Sequence, residues 1–277
     1  MRGEGEMSEN EPPRSKECIV AYLDLLGVKE KILNDDDSET NLAIIRKLYN
    51  EVIALQNEKN PTLEIFQTCK FKIFSDNIVF IQELSNDPND SIDAIEGLFR
   101  IFGVVADFQY CAFVNHGWLL RGGIVQGPLY SDEDIVWGKA LVASHYLEDK
   151  LAIFPRVIID EQLHQLILKS ESHIKDIRIK IDSDGYSYVD YLNFMFIDGL
   201  NPYQLTPFLT MEFPKIQNTF IDMLSKVPTD AKPESKSIRA KYRWQINYYN
   251  GACKETGFEE YCVDPGLILS YEEGISE

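Results

Sequence analysis

CIVAYLDLLG, residues 18–27, is the first clearly structured run of the chain and the point from which its architecture can be worked out. The run is apolar, rich in strand formers and closed by Gly27, a pattern typical of a buried strand that ends in a turn. One acid, Asp24, stands near the end of this predicted strand. A carboxylate there either caps the helix that follows or faces a site at the end of the sheet.

A β-hairpin is predicted next, in EIFQTCKFKIFSDNIVF at 64–80. Apolar side chains alternate through its first half and return at 78–81, which gives two strands. The polar triplet Ser75-Asp76-Asn77 lies at the bend, where side chains that bond to the nearby backbone are favoured. Asp76 is therefore either an ordinary turn residue or a second acid at the same end of the sheet.

The order of the remaining elements indicates the fold class. Helices are predicted at 39–58, 91–115, 138–151 and 161–169, and strands at 118–126 and 155–159, with weaker ones near 174–181 and 186–194. The order β-α-β-β-α-β-α-β is the split βαβ arrangement of ferredoxin-like α+β folds. We predict a disordered tail at 1–16, an α+β domain at 17–197, and a helical extension at 198–277 with helices near 208–226 and 235–250.

Charge and composition limit the partners. Basic residues number 27 against 45 acidic ones, for a net charge of −18. Binding to nucleic acid needs a cationic face, so no nucleic-acid partner is expected, whereas a small phosphorylated ligand is compatible if metal ions neutralise it. No apolar run reaches the roughly 20 residues of a membrane span and no signal-peptide pattern opens the chain. We therefore expect a cytoplasmic protein without a membrane partner, its five scattered cysteines reduced.

Asp24 and Asp76 together predict a metal site. The first strand and the hairpin strands are neighbours in a split βαβ sheet, so both carboxylates can face one crevice. Two acids so close repel each other unless a divalent cation lies between them. Oxygen ligands suit Mg²⁺ or Mn²⁺, the hard ions that hold phosphates.

Four motifs in order carry a family resemblance. They are YLDLLG at 22–27, FSDN at 74–77, LRGGIVQG at 120–127, and the helix that runs from WGKAL at 137–141 to Leu147-Glu148. They resemble the first-strand F-x-D-I-x-G motif, the second metal aspartate, the L-R-x-G-I-x-x-G strand and the G-x-x-V-N-x-A-x-R-L-E helix of class III nucleotidyl cyclases. The match covers about residues 18–160.

Two departures from this pattern point to one branch of the family. The helix asparagine and arginine of purine cyclases are replaced by Val142 and Tyr146. With these changes and YRWQIN at 242–247, the chain is more similar to the bacterial pyrimidine cyclases of Pycsar anti-phage systems. That resemblance implies a cytoplasmic, Mn²⁺-dependent homodimer with composite active sites, which makes cyclic UMP or cyclic CMP to activate a partner effector.

The resemblance also implies roles for individual residues. Asp24 and Asp76 would bridge two Mn²⁺ ions per site (or Mg²⁺), with the Leu25 carbonyl as a further ligand. Backbone N–H groups at 25–28 would cradle phosphates, since a helix N-terminus favours anions. Tyr22 would line the nucleotide pocket, unless it is a core aromatic, and Tyr146 is placed among the substrate-binding residues.

Two points stay open: which residues recognise the nucleotide base, and which cation replaces the helix arginine of purine cyclases. Lys72 suits the O4 or O2 acceptors of uracil if it does not simply face outward, and Asp134 would accept from the amine of cytosine. Arg121 is the first candidate for the replacement cation, unless it forms a structural ion pair; Lys139, Arg239 and Arg243 follow. The Gly122-Gly123 pair predicts close backbone approach, at a subunit interface.

The sequence therefore predicts a lyase that converts UTP into 3′,5′-cyclic UMP and pyrophosphate as a second messenger in antiviral defence. A cytidylate cyclase is the first alternative. An adenylyl or guanylyl cyclase is the second, and a nucleotide-binding module without turnover is the third.

Overall fold

A computed structural model describes residues 13–28, 38–59, 69–85, 94–169, 179–193, 202–228, 230 and 232–266. Most of the predicted tail, together with 64–68 and 174–178 of the predicted strands, lies outside these residues. The strands are β1 Lys16–Leu25, β2 Cys69–Phe74, β3 Asn77–Glu83, β4 Leu120–Ser131, β5 Val136–Gly138, β6 Val157–Ile159, β7 Ile179–Ile181 and β8 Ser187–Val189. The helices are α1 Ser38–Lys59, α2 Ala94–His116, α3 Lys139–Tyr146, α4 Glu161–Lys169, α5 Pro202–Ser225 and α6 Pro233–Thr256.

All eight strands form one mixed sheet in the order β2-β3-β1-β4-β6-β8-β7, with β5 paired to β4. The first four strands of this order pair antiparallel throughout, with β1 between β3 and β4. This is the ferredoxin-like split βαβ core, so the predicted α+β class is confirmed. A parallel strand, β6, joins the far edge of β4 and extends the sheet towards β8 and β7.

The two faces of the sheet are buried differently, because side chains alternate along a strand. From β1, Ile19, Ala21, Leu23 and Leu25 enter the main core. That core also holds the buried faces of α1, α2, α5 and α6. The alternate residues of β1, Cys18, Val20 and Tyr22, belong to a second, smaller cluster that includes Ala140 of α3.

Helix α2 lies at the centre of the main core. Among the described residues, α2, with 23 residues, is the one helix whose length and apolar composition would allow it to cross a membrane. Within its most apolar window, 83% of the residues are buried inside the fold. Phe108 of this helix packs edge-on against Phe80 of β3, with ring centroids 5.1 Å apart. We therefore describe α2 as a core helix.

Two adjacent glycines let neighbouring segments approach β4. A Cβ on Gly123 would lie 2.4 Å from Leu147 Cβ and 2.7 Å from the Ser144 carbonyl oxygen. A Cβ on Gly122 would lie 2.4 Å from the Tyr22 carbonyl oxygen. The close approach predicted for this pair is found within the chain, against β1, α3 and Leu147 directly after α3; its proposed place at a subunit interface stays a prediction.

The chain widens into a π-helical turn directly after α3, at Leu147–Leu151, closed by a 2.8 Å hydrogen bond from Ala152 N to Leu147 O. The sequence pattern predicts one continuous helix over 138–151, whereas the structure has α3 followed by this turn. Turns of this kind are rare and often occur at functional sites.

Helix α6 is attached to the far half of the sheet by buried polar contacts. Arg156, fully buried before β6, donates to Asp182 and Asp184 of the β7–β8 turn. Trp244 of α6 donates from Nε1 to Asp182 Oδ2 at 2.7 Å, and its ring stacks on Phe154. These contacts join α6, β6 and the β7–β8 turn into one unit.

Candidate active site

The two predicted metal ligands lie at the same end of neighbouring strands. Asp24 of β1 stands directly across from Asn77 of β3, and Leu25 N–H donates to the carbonyl oxygen of Asp76 at 2.9 Å. Asp76 itself is at the tip of the β2–β3 hairpin, where its Oδ1 accepts from Asn77 Nδ2 at 3.1 Å. The preceding Ser75 has a φ of 57°, a left-handed conformation unusual for a residue with a Cβ. The hairpin therefore brings Asp76 beside the end of β1.

Asp24 is largely buried and forms an ion pair with Arg121. Its side chain is 16% exposed, and its Oδ2 accepts from Arg121 Nε at 3.0 Å. Burial raises the pKa of Asp24 above its ordinary value; Arg121 opposes this rise, and the negative charge of Asp76 adds to it. The two aspartates are thus within electrostatic reach of each other.

Arg121 is shared between Asp24 and a second buried acid, Glu148. Arg121 Nη2 forms an ion pair with Glu148 Oε1 at 2.7 Å, and the Glu148 side chain is only 3% exposed. Glu148 Oε2 lies 3.1 Å from His145 Nδ1 on the last turn of α3. Burial, foremost, raises the pKa of Glu148. The result is a chain of side chains running from Asp24 through Arg121 and Glu148 to His145.

Tyr22 forms the aromatic wall beside this chain. Its ring lies 4.8 Å from the His145 ring and 6.2 Å from the ring of Phe74, measured between centroids. Burial, together with the charges of Glu148, Asp24 and Asp76, raises the pKa of Tyr22 to about 12. Tyr22 therefore stays neutral, as a nucleotide-pocket residue or a core aromatic would.

The structure brings the two predicted base-reading residues to one place. Lys72 of β2 donates from Nζ to the carbonyl oxygen of Glu133, in the loop between β4 and β5. Asp134 is the next residue and is exposed. Its backbone N–H donates to Asp132 Oδ1 at 2.9 Å, which shapes the loop. The ammonium of Lys72 thus fastens the loop that carries Asp134.

Other predicted residues lie further out or have other partners. Tyr146 and Val142 are exposed on α3, and Lys139 is exposed at its start. Arg239, by contrast, is buried and donates to the carbonyl oxygens of Pro228 and Asp230, both at 2.8 Å. We therefore assign Arg239 to the loop between α5 and α6.

Sequence reasoning did not single out Glu148, His145 or Lys241. Glu148 enters the sequence argument only as the end of the helix motif, yet its i, i+3 spacing from His145 is visible in the sequence. Lys241 of α6 is among the charges that lower the pKa of Asp24, after Arg121. No local pattern indicates that contribution, because α6 is more than 200 residues away in the chain.

The donor set suits a hard divalent cation. Asp24 and Asp76 offer carboxylate oxygens, and Leu25 offers a carbonyl. Across the described ranges, no group of three or more His, Cys, Asp and Glu residues is arranged to hold a metal ion. Ions that hold phosphates are commonly bound by one or two carboxylates, with phosphate oxygens and water completing the shell, so two carboxylates are compatible with that use.

Comparisons with known proteins give loose similarities only. No protein-family model matches the chain, and no curated protein matches it. Among solved structures, the monomeric guanylyl cyclase domain of the RhoGC fusion protein from Blastocladiella emersonii is similar at 13% identity and a TM-score of 0.45, over 64% of this chain and 97% of that one. Adenylyl cyclase CyaB from P. aeruginosa is similar at 15% identity and a TM-score of 0.45, over 65% of this chain and 96% of that one. The adenylate/guanylate cyclase/hydrolase from Silicibacter pomeroyi is similar at 16% identity and a TM-score of 0.39, over 64% of this chain and 96% of that one.

Proposed function

We propose that this protein is a nucleotide cyclase that depends on a divalent cation and converts UTP into 3′,5′-cyclic UMP and pyrophosphate. The observation that carries the proposal is the placement of Asp24 and Asp76 at the same end of β1 and the β2–β3 hairpin, with Arg121 beside them. The four motifs in cyclase order, with this local geometry, support the assignment. A largely buried acid at the end of an otherwise apolar strand, with its pKa raised by burial, supports a site over a purely structural role.

Each group of the site has a task in an in-line displacement at the α-phosphorus. Asp24, Asp76 and the Leu25 carbonyl would hold two Mn²⁺ or Mg²⁺ ions. Such ions lower the pKa of the ribose 3′-hydroxyl and neutralise the triphosphate. Arg121 would supply positive charge to the phosphates, since charge neutralisation and positioning provide most of the catalysis in phosphoryl transfer. Tyr22 would line the pocket beside the nucleoside.

Substrate choice centres on Lys72 and Asp134. Lysine only donates hydrogen bonds, so Lys72 fits the carbonyl oxygens of uracil. However, its ammonium already donates to Glu133, and the exposed Asp134 stands beside that contact. A carboxylate in that position would accept from the exocyclic amine of cytosine, so CTP is the second candidate substrate.

A homodimer with composite sites is the proposed assembly. Several large apolar side chains are exposed around the second face of the sheet, Trp137 most of all at 76%. The others are Phe74, Ile135, Val142 and Tyr146. Exposed apolar patches mark interaction surfaces, so we propose that these side chains contact the second subunit. We further propose a cytoplasmic enzyme whose product activates a separate effector in antiviral defence.

The test is product analysis with purified protein. The protein is incubated with Mn²⁺ and each of the four nucleoside triphosphates in turn, and the products are identified by mass spectrometry. Cyclic UMP, formed from UTP, should be the main cyclic product. Asp24→Asn and Asp76→Asn should each reduce the rate by about 10³-fold or more, as expected for loss of a metal ligand, while the folded circular dichroism spectrum remains. Glu161→Gln, on the exposed side of α4, is the control.

Other products or no product would contradict the proposal in different ways. Cyclic AMP or GMP as the main product would indicate a purine cyclase. Tight Mn²⁺-dependent binding of UTP without pyrophosphate release would indicate a binding module. Neither binding nor turnover with any of the four nucleotides would refute a cyclase site at Asp24 and Asp76.

A further inference from the structure

We infer that Arg121 is a built-in counter-ion that a divalent cation must displace from Asp24, and that Glu148 is the positioning residue that keeps Arg121 in the site when this happens. The inference rests on the proposed function, because it concerns the same metal ligands. It goes beyond that function by assigning Glu148 a role and by giving Arg121 two positions. In one it bridges Asp24 and Glu148, as in the structure; in the other it pairs with Glu148 alone.

The geometry shows one guanidinium divided between two acids. Arg121 uses Nε for Asp24, at 3.0 Å, and Nη2 for Glu148, at 2.7 Å. A guanidinium remains charged at any pH relevant to proteins, so this cation cannot be neutralised to make room for another. This contact occupies only Oδ2 of Asp24, so a pair of ions bridged by both oxygens of that carboxylate requires the Nε contact to open.

Burial indicates which of the two contacts opens. The Glu148 side chain is 3% exposed, whereas that of Asp24 is 16% exposed and lies next to the half-buried hairpin tip. The other carboxylate oxygen of Glu148, Oε2, contacts His145 Nδ1, and the neighbouring Leu147 packs against Gly123. Glu148 Oε1 is buried and accepts no hydrogen bond, so the charge of Arg121 is what compensates it. Because a buried carboxylate left without its cation carries a large desolvation cost, we expect Arg121 to stay with Glu148 and to give up its hydrogen bond to Asp24.

The charges favour this exchange. Asp24, Asp76 and Glu148 carry three negative charges when ionised, and Arg121 offsets one of them. Lys241 also acts on Asp24, and its effect on that carboxyl is smaller than that of Arg121. A divalent ion therefore enters a site with excess negative charge, and its only direct competitor among the described contacts of Asp24 is Arg121.

Mn²⁺ titration of the full chain without nucleotide tests the inference. Arg121→Met should tighten Mn²⁺ binding about tenfold, because the competing cation is gone. Glu148→Gln should weaken binding about tenfold, because displacing Arg121 then leaves that cation unpaired. In the Arg121→Met background, Glu148→Gln should weaken binding by no more than about threefold, the simple effect of one lost negative charge.

A matched control isolates that simple charge effect. Asp149→Asn removes an acid from the same π turn, but Asp149 is exposed and pairs with Lys150. It should weaken Mn²⁺ binding by at most about threefold with Arg121 present or absent. Circular dichroism of every variant checks folding, and the tightening expected for Arg121→Met is a result that unfolding cannot produce.

Two results would overturn the inference. One is unchanged or weaker Mn²⁺ binding in Arg121→Met; the other is the same loss for Glu148→Gln in both backgrounds, which would reduce that contact to a structural ion pair. Failure of the proposed function looks different. Wild-type protein would then make no cyclic nucleotide, while the dependence of Mn²⁺ affinity on Arg121 and Glu148 could still be measured.

Discussion

Replacing Gly123 by alanine tests how closely α3 must approach β4. The new Cβ would lie 2.4 Å from Leu147 Cβ and 2.7 Å from the Ser144 carbonyl oxygen, where ordinary contacts begin near 3.4 Å. Helix α3 must therefore retreat by about 1 Å. Overpacking of this kind costs about 1–3 kcal/mol. The loss of chain entropy in the unfolded state offsets about 0.4–1 kcal/mol of that cost.

Gly127 provides the matched control, four residues further along the same strand. A Cβ there would meet its nearest neighbour, Ala140 Cβ, at 3.6 Å, an ordinary contact. Gly127→Ala should therefore be neutral or stabilising by up to about 1 kcal/mol. The expected gap between the two variants is about 2 kcal/mol, or roughly 4 °C in Tm by differential scanning calorimetry.

The same substitution should also affect chemistry. Leu147, which the new methyl group displaces, directly precedes Glu148, so the contact with Arg121 should lengthen. A misplacement of about 1 Å in a positioning group can cost about 100-fold in rate. Cyclic nucleotide production by Gly123→Ala should fall accordingly, while Gly127→Ala retains most of its activity. Equal Tm values for the two variants would refute the packing argument, and full activity in Gly123→Ala would refute its link to the site.

Three further predictions concern other parts of the molecule. Asp182→Ala should lower the free energy of unfolding by about 3 kcal/mol in chemical denaturation, because it removes one of two partners of the fully buried Arg156. Burial raises the pKa of Glu148, so this residue contributes stability that decreases as pH rises just above pH 4, whatever the slope set by the other acids. The Tm of Glu148→Gln should therefore increase relative to that of the wild type as pH rises through that window, and a constant Tm difference would contradict the assignment. Lys72→Met should speed hydrogen exchange of the β4–β5 loop about fivefold, a loss of about 1 kcal/mol in local stability; unchanged exchange would show that its bond to Glu133 does not hold the loop.

Much of the fold follows from local patterns. The predicted helices at 39–58 and 161–169 agree with Ser38–Lys59 and Glu161–Lys169, because apolar spacing directly records which face of a helix is buried. The hairpin and its polar bend are likewise confirmed, so the sequence alone places Asp76 at a strand end. The second of the weaker strands is shorter than predicted, Ser187–Val189, and the described part of the first is Ile179–Ile181; both form the far edge of the same sheet.

The connections within the site could not be predicted in the same way. Arg121 and Glu148 are 27 positions apart, and their contact depends on α3 crossing β4 at Gly123, a feature of tertiary packing. The π turn that follows α3 has no distinct periodicity over five residues. The effect of Lys241 on Asp24 depends on where α6 docks, which the buried cluster around Arg156 determines.

The loop from Leu147 to Arg156 leaves and rejoins β4 at adjacent residues. Leu147 packs on Gly123, and the Arg156 carbonyl accepts from Gly122 N–H at 3.1 Å. The span between these two attachment points is therefore fixed, whatever the residues in between. A deletion of one residue can be absorbed by the wide turn at 147–151, which would tighten to ordinary α geometry. An insertion would have to bulge from the irregular segment 152–155 or displace Glu148 or Arg156. In this stretch of the chain, tolerance of insertions and deletions should be strongly unequal, even at exposed positions where substitutions have no effect.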